Sequence, residues 1–91
     1  MNSYEFEVAA KNAVIEEMRK RDTIIGINDL QMVWFCHIVG NKKALIYGED
    51  MQPMYAEVTY VKDQEMMYVD MYEKSSHNGI PLSQCDITAH V

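Results

Sequence analysis

A chain of 91 residues makes a single domain near the lower end of sizes that fold without metals or disulfides. Apolar residues at 48% and charged residues at 24% lie close to globular averages, which excludes a mostly disordered chain. The net charge of −6 repels nucleic acid phosphates, and six acids against two bases place most of it in residues 54–91.

The first predicted element is a helix from Ser3 to Arg21. Asn2 is placed to cap it, with Glu5 reaching back as in a capping box. Phe6, Ala10, Ala13, Val14 and Met18 recur at helical spacing, while Glu7 with Lys11 and Glu16 with Lys20 support the solvent side. Gly26 and Asn28-Asp29 then break the pattern around three isoleucines. Met32 to Val39 is an apolar run broken only by His37, which predicts a strand covered on both faces. Gly40-Asn41-Lys42 is expected to turn into a partner strand from Lys43 to Tyr47, and Gly48 to Pro53 leads to a second hairpin. The expected fold class is α+β: an N-terminal helix packed on a four-stranded antiparallel meander, covering residues 1–75. Residues 76–91 form a C-terminal tail pinned at most by Ile80, Leu82 and Ile87. Most of the eight methionines fall at inward-facing positions, where their flexible side chains fill gaps.

The second hairpin carries the most information. With Lys62-Asp63-Gln64-Glu65 as its loop, Tyr60 opposes Met67, Val58 opposes Val69 and Ala56 opposes Met71 on one face. The other face sets Tyr55 against Tyr72, Glu57 against Asp70 and Thr59 against Tyr68. Two carboxylates directly across a strand pair repel, so Glu57 with Asp70 is not a choice made for stability. Paired carboxylates can hold a cation, share a proton or receive a partner's Lys or Arg, and flanking tyrosines are the composition of contact surfaces. An ordinary solvated sheet face is the plainer alternative, since Tyr and Thr are good strand formers.

Other chemistry finds little support. Cys36 and Cys85 lack CxxC spacing and read as free thiols, with Cys36 expected as a buried small hydrophobe. His37 reads as a structural histidine. His77 and His90, with Cys85 or Asp86, match no zinc spacing, and Ser75 and Ser76 lack a partner acid. No phosphate-cradling glycine loop is present. The expectation is therefore a non-enzymatic protein with no cofactor and no metal. No run is long enough to span a membrane, and the N-terminus lacks the apolar core of a signal peptide, so a cytoplasmic protein that touches neither membrane nor nucleic acid is expected.

The segments DLQMVWFCHIVGNKKALIYGED and MYAEVTYVKDQEMMYVDMYEKSSHN resemble a small family of uncharacterised proteins encoded by phages and prophages of Gram-positive bacteria. The likeness runs from Asp29 to Tyr72 and brings no catalytic residues with it. It implies a phage accessory protein in the host cytoplasm that binds a host protein, with an inhibitor of a host defence nuclease, anti-CRISPR-like, as the sharper form. The expected partner has a basic surface and meets Tyr55, Glu57, Thr59, Tyr68, Asp70 and Tyr72. A nucleotide-like ligand trapped by an oligomer, or a virion assembly factor, is the alternative, and the exposed tyrosines leave a homodimer open.

Overall fold

The computed structural model describes residues 1–88 and shows the expected α+β architecture. Helix α1 (Ser3–Arg19) precedes four strands, β1 (Gln31–Ile38), β2 (Asn41–Tyr47), β3 (Met54–Val61) and β4 (Met66–Glu73). They form one open antiparallel sheet in chain order.

The capping box of α1 is present in both directions: the Asn2 carboxamide accepts from the Glu5 amide at 2.7 Å, and Glu5 accepts from the Asn2 amide at 2.9 Å. The helix stops two residues before the sequence predicts. Asp22 takes a left-handed conformation (φ 63°), and the Asp22 and Thr23 amides donate to the Arg19 and Met18 carbonyls, which closes a Schellman turn. Lys11 pairs with Glu7 as expected, whereas Glu16 is taken by Arg19, one residue before Lys20, and Lys20 binds Glu17.

Phe6, Ala10, Val14 and Met18 form the buried stripe of α1, which lies across β2, β3 and β4. A 17-residue helix is marginal alone in water, so this stripe is what holds it. Beneath it the sheet presents three cross-strand rows: Met32, Ile46, Ala56 and Met71; Phe35, Ala44, Val58 and Val69; His37, Lys42, Tyr60 and Met67. Small side chains at Ala44 and Ala56, both fully buried, let the helix approach, while Ile46, Val58 and Met51 fill the flanks. The rings of Phe6 and Phe35 meet at 5.7 Å. Lys42 is only 5% exposed, its stem buried and its ammonium 5.9 Å from the Tyr60 ring, an amphipathic side chain closing one end of the core.

Strand β1 departs from expectation. It is an edge strand with one side bare: Trp34 is 51% exposed, and Val33 and Ile38 more so. A bulge inserts Val33 between Met32 and Trp34, so Met32 and Phe35 both reach the helix although three residues apart. That extra residue erases the alternation and makes the sequence read as a strand buried on both sides. The β1–β2 turn is also tighter than expected, with Ile38 paired to Asn41 across Val39 and Gly40, at φ 49° and 84°. Two positive φ angles define the hairpin turn whose twist matches the strands.

Candidate functional site: the open sheet face

The helix covers one side of the sheet, and the strand period of two sends the alternate residues to the other. Pairing aligns them in rows: Cys36, Lys43, Thr59 and Tyr68; Trp34, Leu45, Glu57 and Asp70; and, beyond these, Tyr55 with Tyr72. The register expected for β3 and β4 is the one observed, with Glu57 directly across from Asp70. The four-residue loop enforces it, ending in Glu65 at φ 49°. Asn41 accepts a hydrogen bond at 3.0 Å from the Lys62 amide, so the tips of the two hairpins are tied together.

All six residues singled out from the sequence thus share this face. Tyr55 and Tyr72 stack at 5.3 Å with their planes 16° apart. The Tyr68 hydroxyl donates to Gln64 at 2.6 Å, which fixes its ring over the hairpin end. Tyr68, Asp70 and Tyr72 are exposed; Tyr55, Glu57 and Thr59 are half-buried. Rings held in this way offer contact area at little further cost in conformational freedom.

The sequence reading missed Lys43. It sits on β2 opposite Thr59, diagonal to Glu57, and its ammonium lies 3.0 Å from Glu57 Oε1. The hydrogen bond to Glu57, and then the charge of Glu57, raise the Lys43 pKa above its ordinary 10.5, with Tyr72 and Asp70 adding to the same direction. One of the two carboxylates is therefore matched within the fold, and the face presents Asp70 as its outward negative charge. Trp34, Leu45 and Tyr47 were missed as well. They extend the aromatic surface to the opposite edge and would have been found from the β1–β2 register, which the Val33 bulge hides.

Beside the tyrosine pair the face dips into a groove of about 890 Å³ lined by Val33, Leu45, Tyr47, Pro53, Met54 and Tyr55. Gln52 donates to the Tyr47 hydroxyl at 2.7 Å along its wall. Cys36 is half-buried on the open face rather than in the core, and His37 points to the other side, so the two cannot act on one substrate atom. Among the described residues, no three His, Cys, Asp or Glu side chains converge as metal ligands, and no helix is long and apolar enough to cross a membrane. His90 lies outside the described residues.

A family model matches residues 7–82, most of the chain. The protein belongs to DUF6275, a family of unknown function. The DUF6275 match takes in the helix after its first turn, all four strands and the first part of the tail. No curated protein and no solved structure matches the chain.

Proposed function

We propose that this DUF6275 member is a non-enzymatic binding protein that grips a partner protein through its open sheet face. The observation that carries this reading is the face itself: a four-stranded surface bearing Tyr55, Tyr68 and Tyr72 around Asp70 and Trp34 at the opposite edge, with no element of the described chain laid over it. Aromatic anchors around a few placed charges are the composition of contact surfaces, and a sheet ordinarily buries both sides when it is this apolar. Asp70 would receive a Lys or Arg, Tyr68 and Tyr72 would supply anchor area, and Glu57 with Lys43 would keep the centre neutral enough to desolvate.

The partner fitting an acidic chain is a protein with a basic surface. Combined with the resemblance to phage and prophage proteins, this supports a phage accessory protein acting on a host protein, an enzyme with a basic nucleic-acid groove such as a defence nuclease being the sharper form. The test is capture of the partner with tagged protein, followed by titration of the recovered protein against variants. Asp70→Lys is expected to weaken binding at least tenfold, and Tyr68→Ala with Tyr72→Ala further. A partner that binds the Asp70→Lys/Tyr68→Ala protein as tightly as wild type would refute this use of the face.

A further inference from the structure

We propose that the chain pairs with a second copy of itself by reciprocal exchange of the segment after Gly79, with Ile80 and Leu82 of each copy seated in the groove beside Tyr47 and Tyr55 of the other. This goes beyond the partner site, whose charge and main anchors are Asp70, Tyr68 and Tyr72 on β4, and Tyr55 belongs to both surfaces.

The tail leaves the body with its apolar groups unburied. Beyond Glu73, the Lys74 amide donates to the Pro53 carbonyl at 2.9 Å, and Lys74 and His77 line the groove. From there the chain runs outward: Ile80, Leu82 and Ile87 are 66%, 80% and 88% exposed. The radius of gyration is 15.9 Å, against about 12 Å for a compact chain of this length. The segment is nevertheless ordered locally. Pro81 opens a 3₁₀ turn over Leu82–Gln84, the Gln84 and Cys85 amides donate to the Pro81 and Leu82 carbonyls, and the Cys85 thiol reaches the Pro81 carbonyl at 3.6 Å. A turn that presents Ile80 and Leu82 without packing them is shaped for a surface elsewhere, and its order lowers the entropy lost on docking.

The groove is the complementary half. Val33, Leu45, Pro53 and Met54 give it an apolar lining with room for several side chains, yet of the chain's own tail only Lys74 and His77 line it, and no described residue after His77 does. A two-fold arrangement resolves both deficits at once, since each copy supplies one tail and one groove. The area suffices: residues 79–87, extended, carry roughly 1,400 Å² of accessible surface. Burying a third of that against an equal area of the groove and the exposed surface around it, twice over, covers about 1,900 Å², within the range of stable interfaces. The family match extends through Leu82, so Ile80-Pro81-Leu82 belongs to the DUF6275 domain and not to an appendage.

Light scattering on the full chain, coupled to size exclusion, is expected to give twice the 10.6 kDa chain mass. Ile80→Asp/Leu82→Asp and, separately, Val33→Asp should each weaken the dimer by roughly a hundredfold and elute as monomers. All three positions are exposed, so melting curves should stay those of a folded protein. Mixing the tail variant with the groove variant should restore a dimer, because one intact tail then meets one intact groove. A monomeric wild type, a dimer indifferent to the tail variant, or a mixture that stays monomeric would each overturn the exchange.

Discussion

The open face can be tested through its charges without knowing the partner. Glu57 and Asp70 are opposed in register, so their carboxylates stand on the order of 6 Å apart. In water at low salt two such charges repel by about 0.7 kcal/mol, and at 1 M salt by about 0.1 kcal/mol. With Lys43 bound to Glu57 at 3.0 Å, Asp70 faces a nearly neutral pair and most of that repulsion is absent. Asp70→Asn alone should therefore leave the melting temperature almost unchanged. In a Lys43→Met background the same substitution removes an uncompensated repulsion, and at low salt it should raise Tm by about 3–5 °C. The measurement is thermal unfolding followed by circular dichroism for the four proteins of the cycle, at low and high salt. A gain of equal size with and without Lys43, or one that salt does not diminish, would refute the view that Lys43 neutralises the pair.

Other expectations follow from the same geometry. Val39 is 94% exposed at φ 49°, a conformation costly for a β-branched residue, so Val39→Asn should create the favoured Asn-Gly turn and stabilise the protein by about 1 kcal/mol in urea titration. Gly48→Ala would drive a Cβ into the Asp29 carbonyl oxygen and to 3.0 Å from Leu30, and the backbone shift this forces should cost about 1–3 kcal/mol by the same titration. The raised Lys43 pKa carries a pH signature. A lysine whose folded value exceeds its unfolded one stabilises fully below the unfolded value, and the stabilisation disappears as pH rises through the folded value. The difference in Tm between wild type and Glu57→Gln should accordingly hold from neutral pH into the alkaline range and close above the ordinary lysine pKa; a gap that persists there would contradict the assignment.

What the sequence disclosed and what it hid divide along physical lines. The helix and the β3–β4 register were legible because their determinants are local: a capping box, apolar spacing every four residues, and a loop whose length fixes which residues oppose. The six residues assigned to one face followed from that register alone. The β1–β2 hairpin was not legible in the same way. Its bulge breaks the period of two at Val33, and its turn sets valine where asparagine or glycine is the usual signal. Lys43 depends on how β2 meets β3, and the passage from Gly48 to Pro53 carries no turn chemistry that sets a register. The partner that tempers Glu57 was therefore invisible, and the face read as more acidic than it is.

This correction bears on what the surface can do. Two bare carboxylates a strand apart would be costly to bury against any partner unless each met its own cation. One carboxylate already satisfied by Lys43, beside one exposed and available, lowers that cost and leaves a single charge with which the proposed partner would be selected. Beside it Tyr68 and Tyr72, and at the far edge Trp34, lie exposed on the side of the sheet that the helix leaves open. Stability is maintained on the other side, where Phe6, Val14, Ile46, Met51 and Val58 are sealed from solvent. Residues on the open face are thus free of the core's packing demands. Their aromatic content supports the proposed contact surface, whose stabilisation would come when a second macromolecule covers it.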